Sequence, residues 1–141
     1  MAENLFFTDL QGLRVYDLKG KQIGRIRDAA IVPLIDPNRV DRFLVGGGWA
    51  CLTIRHDQVK SLSLDGLYLR DEQLTPYHGD EYMLRLARDL LDQQIIDVHG
   101  RKVVRVTDIT FEIGRENEHD ALYVREVDIG LRSMFRRIAQ G

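Results

Sequence analysis

One stretch of this sequence occurs twice. Residues 15–31, "VYDLKGKQIGRIRDAAI", return as "IIDVHGRKVVRVTDITF" in residues 95–111, without a gap and at a constant separation of 80 positions. Apolar positions correspond between the copies, and four pairs of residues are identical: Asp17 and Asp97, Gly20 and Gly100, Arg25 and Arg105, and Asp28 and Asp108. Self-similarity at a fixed separation is the signature of a repeated structural unit. The repeat therefore predicts a chain that contains two units of the same fold.

Each copy has the pattern of a strand, a tight turn and a second strand. Asp17 and Gly20, and likewise Asp97 and Gly100, stand at the first and last positions of the predicted turn. An Asp side chain there accepts hydrogen bonds from the turn amides, and Gly tolerates a positive φ. Apolar and polar residues alternate after the turn, as in a half-buried strand. The alternation breaks around Gly24, which predicts a bulge or a sharp coil there, and the same break in the second copy indicates that the irregularity belongs to the fold.

The rest of the chain predicts more strands and little helix. "WACLTI", "QVKSLSL" and "LYLR" are strand-like segments of the first copy, and Asp65-Gly66 is a hairpin signal between the last two. Helical patterns are confined to about residues 81–91 and to the tail "GLRSMFRRIAQG". Many short strands with few helices are typical of small barrels.

We therefore predict an all-β fold with small α content: two tandem β-barrels, a short linker helix and a short C-terminal helix. The predicted bounds are 1–75 for the first barrel, 76–90 for the linker, and 91–141 for the second barrel with its helix. Units of about 60–75 residues bury only a marginal core alone, so we expect the two to pack against each other.

Composition excludes several classes of protein. The net charge is −2 and Lys and Arg are dispersed, which argues against strong nucleic-acid binding by bulk charge. No window approaches the roughly 18 apolar residues of a membrane-spanning helix. The start of the chain is acidic and lacks the features of a secretion signal. Cys51 is the single cysteine, which fits a reducing compartment. We expect a cytoplasmic protein.

No set of residues assembles a catalytic or metal site in the sequence. The four histidines follow no zinc spacing, Cys51 lies in an apolar segment, and the glycine run "VGGGWA" lacks the Lys-Ser/Thr of a phosphate loop. The aspartates of the repeat would serve a hard cation only if the fold made them converge. The alternative is that Asp17 and Asp97 cap turns while Asp28 and Asp108 pair with Arg25, Arg105 or backbone amides. We expect no cofactor, no metal and no enzymatic activity.

Two places are candidates for partner binding. Trp49, in the glycine run, either packs across the first barrel or lies beside a groove for a partner. In the tail, an apolar stripe of Leu131, Phe135 and Ile138 is too short a helix to be stable alone and must be buried. It closes the second barrel, or it packs on a following domain, on a second copy of the chain or near an anionic membrane. The flanking arginines of this candidate surface are Arg132, Arg136 and Arg137.

The turn pattern "D-x-x-G-K/R", followed by "I-G-R-I-R-D" and an apolar strand, resembles the opening of a PRC-barrel domain. The resemblance covers about residues 10–70, and residues 87–129 more loosely. It implies a small, strongly bent, mostly antiparallel barrel for each copy, so that both predicted barrels are of the PRC type.

A narrower resemblance lies in "RDLLDQQIIDVHGRKVVRVTDI" and "VREVDIGLRSMFRRI". These segments are similar to the cytoplasmic PRC-barrel region associated with MgtE-type magnesium transporter homologues, in which the barrels precede an intracellular helical domain and CBS domains. This sequence contains neither, so we expect a free-standing relative or a piece of a longer polypeptide. The resemblance implies a protein partner or a following intracellular domain, reached at the inner face of the cell membrane through that partner.

The resulting hypothesis is a non-enzymatic adaptor or regulatory module that acts through protein contacts and is linked to an MgtE-like magnesium transport or regulatory system. The alternative is an RNA-processing or ribosome-assembly factor in the manner of RimM. That alternative requires a basic, aromatic-rich face, and the sequence shows none in one place.

Overall fold

The chain folds into strands joined by short turns. A computed structural model describes residues 3–46, 51–77, 82–97 and 102–130. Its strands are β1 (Glu3–Phe6), β2 (Arg14–Tyr16), β3 (Gln22–Val32), β4 (Asp36–Gly46), β5 (Cys51–Arg55), β6 (Val59–Ser63), β7 (Gly66–Leu69), β8 (Thr75–Pro76), β9 (Leu84–Arg85), β10 (Gln94–Asp97), β11 (Lys102–Glu116) and β12 (His119–Gly130). The helical elements described are α1 (Phe7–Leu10), a 3-10 turn (His56–Gln58) and a five-residue π-turn (Leu86–Leu90).

The twelve described strands join in one sheet, whose main path runs β1, β11, β12, β4, β3, β2, β7, β6. The end of this path returns to its middle, because the Leu62 amide of β6 donates to the Asp120 carboxylate of β12 at 2.8 Å. The strands from β12 to β6 thus form a nearly closed barrel. The predicted mostly-β barrel fold is confirmed. Two separate barrels are not confirmed, because the described strands of both copies belong to one sheet.

The two copies of the repeat have matching strands. β3 and β11 each pair with the preceding short strand, β2 or β10, and with the following long strand, β4 or β12. Arg25 lies between Arg14 and Gly46, and its counterpart Arg105 lies between Gln94 and Gly130. The predicted bulge is present in both copies.

The bulge lies slightly later than the break in the sequence pattern. It falls between Ile26 and Asp28 in β3 and between Val106 and Asp108 in β11. A bulge inserts one residue into a strand and turns the following side chains toward the other face. The residue inserted in each bulge, Arg27 or Thr107, is exposed, and the aspartate that follows it is buried in β3 and half-buried in β11.

The short segment in front of each copy is exchanged with the other copy. β1 pairs with β11, the long strand of the second copy, whereas β9 pairs with β3, the long strand of the first. We call residues 3–10 and 84–90 the leading segments. Each consists of a short strand and one helical turn, and the π-turn contains one residue more than α1. The two copies are therefore interlocked, and the predicted domain bounds remain a prediction.

One hydrophobic core is shared by both copies. The buried cluster runs from Leu5 and Phe7 in the first leading segment, through Phe43 in β4, to Ile109 and Phe111 in β11. The rings of Phe7 and Phe111 are 6.1 Å apart at a tilted angle, a favourable arrangement for aromatic pairs. Phe7 is completely buried, so the exchanged segment is part of the core.

One local prediction is confirmed, because β6 and β7 form the hairpin predicted from Asp65-Gly66, with Ser63 opposite Gly66. The helical pattern predicted at 81–91 is confirmed only in part. Its second half contains the π-turn at Leu86–Leu90, whereas Leu84–Arg85 form strand β9. The predicted C-terminal helix lies in residues 131–141, outside the described residues.

Candidate functional site

The repeated aspartates Asp28 and Asp108 each hold the leading segment of the other copy. Asp28 is 1% exposed and accepts the amides of Ala29 at 2.8 Å, Ala87 at 2.7 Å and Arg88 at 3.3 Å. Asp28 also forms an ion pair with the Arg85 guanidinium, whose Nε lies 3.0 Å from the Asp28 Oδ2 atom. A buried carboxylate is tolerated only when it is paired and hydrogen-bonded, and these four donors supply both conditions.

Asp108 makes the equivalent contacts in the other direction. Its Oδ1 accepts the amides of Ile109 at 2.8 Å and Phe7 at 3.1 Å, and its Oδ2 accepts the Thr8 hydroxyl at 3.3 Å. Of the alternatives that the sequence left open, backbone amides are the partners of both aspartates. The predicted pairing of Asp28 with Arg25 is not formed, since the Arg25 guanidinium donates to the Gly12 carbonyl at 3.3 Å.

Asp17 and Gly20 form a tight turn between β2 and β3. The Asp17 carboxylate accepts the amides of Lys19 and Lys21, both at 2.9 Å. The Gly20 amide donates to the Asp17 carbonyl at 3.0 Å, and Gly20 has φ of 79°, a conformation that favours glycine. This turn lies at one end of the barrel and presents Leu18, which is 56% exposed.

An apolar groove lies beside this turn. Its floor is formed by the buried side chains of Val45 and Leu69, its walls by Ile23, Leu52 and Leu74, and its volume is about 330 Å³. The two charged side chains that line it, Asp17 and Glu72, are both acidic. We call this site the barrel-end groove.

A second cleft of about 300 Å³ adjoins the barrel-end groove, because Asp17 and Leu69 line both. Leu18 and Tyr68 form part of its lining, and Tyr68 stacks on Tyr16 with ring centroids 4.8 Å apart. Four exposed apolar side chains thus surround the end of the barrel: Leu18, Ile23, Leu52 and Tyr68. Clustered apolar exposure of this kind is typical of interaction sites.

All five predicted partner-binding residues lie outside the described residues: Trp49, Arg132, Phe135, Arg136 and Arg137. The predicted turn residue Gly100 also lies outside them. Residues 47–50 connect β4 to β5, and Val45 and Leu52 of those strands line the barrel-end groove. Asp97 ends β10, with its backbone opposite Lys102.

A polar cluster joins the two copies on another side of the barrel. The Arg39 guanidinium lies 3.3 Å from Glu116 and 3.6 Å from Asp41, and the Tyr123 hydroxyl donates to Glu116 at 2.9 Å. Burial lowers the pKa of the neighbouring His56, and the positive charge of Arg39 lowers it further. The His56 Nδ1 atom is buried without a hydrogen-bond partner.

Histidine, aspartate and cysteine side chains are the groups that enzymes commonly use, and His56, Asp57 and Cys51, all among the described residues, form no hydrogen-bonded pair with one another. The Asp57 carboxylate is bound by Arg55 at 3.1 Å rather than by His56, and Cys51 is half-buried at the start of β5. Within residues 3–46, 51–77, 82–97 and 102–130, no three His, Cys, Asp or Glu side chains are grouped to hold a metal ion.

Comparisons with known proteins do not assign the chain to a family. No protein-family model matches the sequence, and no curated protein is significantly similar to it. Among the helices of the described part of the chain, none is long and apolar enough to cross a membrane.

The four exposed apolar side chains around the end of the barrel were not predicted from the sequence. The sequence contained a signal for Leu18, because the two strands that a tight turn joins do not bury an apolar side chain at the centre of that turn. Ile23, Leu52 and Tyr68 carried none, since strand alternation alone does not show where a barrel ends.

Proposed function

We propose that this protein is a non-enzymatic adaptor or regulatory module that binds a protein partner through the barrel-end groove. The observation that carries the proposal is the group of exposed apolar side chains, Leu18, Ile23, Leu52 and Tyr68, around a concave apolar floor. Apolar anchors that enter a desolvated pocket supply most of the binding energy of protein interfaces.

The lining of the groove specifies the chemistry of the partner. Val45, Leu69 and Leu74 accept an apolar side chain, while Asp17 and Glu72 place negative charge at the groove. Opposite charges across an interface steer association and suppress wrong partners. The partner segment proposed here therefore carries an apolar anchor flanked by Lys or Arg.

The proposal extends to the architecture of the two copies. They are two PRC-type barrel units that have exchanged their leading segments, an arrangement supported by the matching bulges and by the reciprocal contacts of Asp28 and Asp108. The similarity to the barrel region of MgtE-type transporter homologues suggests that the partner belongs to an MgtE-like magnesium transport or regulatory system, at the cytoplasmic face of the membrane.

Selection from a random peptide library tests the proposal. We expect the selected peptides to share an apolar anchor with flanking basic residues, and to lose binding to Leu18→Glu and Leu52→Glu variants. Leu34→Glu is the matched control, because Leu34 is 87% exposed in the turn beyond the other end of β3. Peptides that bind both groove variants as well as the unaltered protein would contradict the proposal.

A further inference from the structure

Four arginines surround one cleft on the side of the barrel. Arg25 and Arg27 project from β3, Arg85 comes from β9, and Arg88 from the π-turn. The cleft has a volume of about 490 Å³, and Asp28 also lines it. None of its described lining residues lines the barrel-end groove, so this arginine cleft is a separate site.

The cleft has an excess of positive charge. Asp28 pairs with Arg85 at 3.0 Å, and Asp89 pairs with Arg88 at 2.8 Å. Among the ion pairs of the described residues, none includes Arg25 or Arg27. Both of these side chains are exposed. Two guanidinium groups therefore face the cleft without a described carboxylate partner.

Tyr77 orders the other two arginines. The Arg85 guanidinium lies over the Tyr77 ring, 5.1 Å from its centroid, and the Arg88 Nη1 lies 3.4 Å from the Tyr77 hydroxyl. Stacking of a guanidinium on an aromatic ring stabilises it and restricts its rotamers. Arg85 and Arg88 are thus held in position before any ligand arrives.

In the second copy, other residues stand at three of these four places. The place of Arg27 is taken by Thr107 and that of Arg88 by Thr8, at the same separation of 80 positions. Phe6 is the counterpart of Arg85, because both make the same backbone contact. The Arg85 amide donates to Asp89 at 2.9 Å, and the Phe6 amide donates to Asp9 at 2.9 Å. The backbone contacts of Asp108 form at that site all the same. Of the four arginines, Arg25 alone has an arginine counterpart, Arg105.

We propose that the arginine cleft binds a ligand through its phosphate groups. Planar guanidinium groups match phosphate oxygens with paired hydrogen bonds, and four arginines line this cleft, two of which have no described carboxylate partner. The volume of the cleft lies within the range of ligand pockets, about 300–1,000 Å³. The site is independent of the proposed partner groove, and its ligand is either a free phosphate compound or the headgroup of a phospholipid.

Calorimetric titration with inorganic pyrophosphate, and co-sedimentation with phosphatidylcholine vesicles that contain phosphatidic acid, distinguish the two sources. We expect one site per chain in one of the two assays, with an affinity that falls as salt is added. Arg27→Gln and Arg25→Gln should each raise Kd about tenfold, the effect of losing one charge-assisted hydrogen bond. The Arg27 side chain is exposed, so Arg27→Gln should not change the melting temperature. Arg25→Gln also removes the hydrogen bond to the Gly12 carbonyl and should lower the melting temperature slightly.

Arg105→Gln is the matched control. Arg105 occupies in β11 the position that Arg25 occupies in β3, but the leading segment that pairs with β11 has no arginine. The Kd of this variant should equal that of the unaltered protein. The proposal is overturned if neither pyrophosphate nor the acidic vesicles bind, or if Arg105→Gln weakens binding as much as Arg27→Gln does. It is also overturned if a single-stranded RNA oligonucleotide binds while both phosphate probes do not, an outcome that would favour an RNA-binding function.

Discussion

Asp28 and Asp108 occupy the same position in the two copies of the repeat, yet their surroundings differ. Each accepts two or more backbone amides, including at least one from the other copy's leading segment. Asp28 is 1% exposed and has Arg85 as an ion-pair partner, whereas Asp108 is half-buried and has the Thr8 hydroxyl instead. The amide contacts are common to both and serve the interlocked fold. Among the described residues, the ion pair with an arginine forms at Asp28 alone, where it compensates for the deeper burial of that carboxylate.

The first of the two largest effects concerns the exchanged leading segment. Phe7→Ala should lower the free energy of unfolding by about 3–5 kcal/mol, because Phe7 is completely buried against Phe111 of the other copy. Phe6→Ala is the control, since Phe6 is 49% exposed, and should cost less than about 1 kcal/mol. Urea unfolding measures both. Equal effects would show that the first leading segment is not part of the core.

The second prediction compares the two aspartates directly. Asp28→Ala should cost about 3–5 kcal/mol, because it leaves Arg85 unpaired and buried amides without an acceptor. Asp108→Ala should cost about 1–3 kcal/mol, since no charged partner is left behind. Unfolding of the two variants in urea gives the difference. If Asp108→Ala proves the more destabilising variant, the ion pair of Asp28 with Arg85 does not add to the stability of the fold.

The third prediction uses a turn that the copies build with different residues. Gly12 has φ of 93° and its counterpart Asp92 has φ of 61°, and the amides of both donate to the bulged strand, at Ile26 and Val106. A side chain at positive φ costs about 1–2 kcal/mol. Gly12→Ala should therefore destabilise by about 1 kcal/mol, since the added Cβ meets no atom within 4 Å. Asp92→Gly should be neutral or slightly stabilising, and thermal melting of the pair checks the comparison.

The features that could be predicted from the sequence are those set by neighbouring residues. The Asp17–Gly20 turn pattern, the Asp65-Gly66 hairpin and the bulge all depend on signals a few positions apart. The exchange of leading segments could not be predicted, because β3 and β11 are copies of each other and offer β1 two similar edges. Only long-range packing, such as that of Phe7 on Phe111, decides between them.

The arginine cleft was hidden for a related reason. Arg25 and Arg27 are separated from Arg85 and Arg88 by most of the first copy, and dispersed arginines indicate no basic face in a sequence. They converge because β9 pairs with β3 rather than with its own copy's long strand. The position of the site therefore depends on the exchange itself.

The smallest predicted effect is a pH dependence at the place where the two copies meet. His56 of the first copy lies within the influence of Arg39, Asp41, Asp57 and Glu116, and its ring centroid is 6.2 Å from that of His119 in β12. Burial, and next the charge of Arg39, lower the pKa of His56 below its usual value. The unfolded chain therefore binds a proton more readily than the folded one, so stability falls as the pH drops through about 6.5.

The lowered pKa values of Asp36 and Asp57 act in a different range, because their contribution is lost only as the pH falls below about 4. Melting temperatures recorded between about pH 7.5 and about pH 5.5 should thus decrease in the unaltered protein. His56→Gln should flatten this part of the profile, whereas His119→Gln, at the facing ring, should leave the His56 contribution in place. A His56→Gln profile as steep as that of the unaltered protein would remove His56 as the titrating group and leave the meeting point of the copies without a pH-dependent contact.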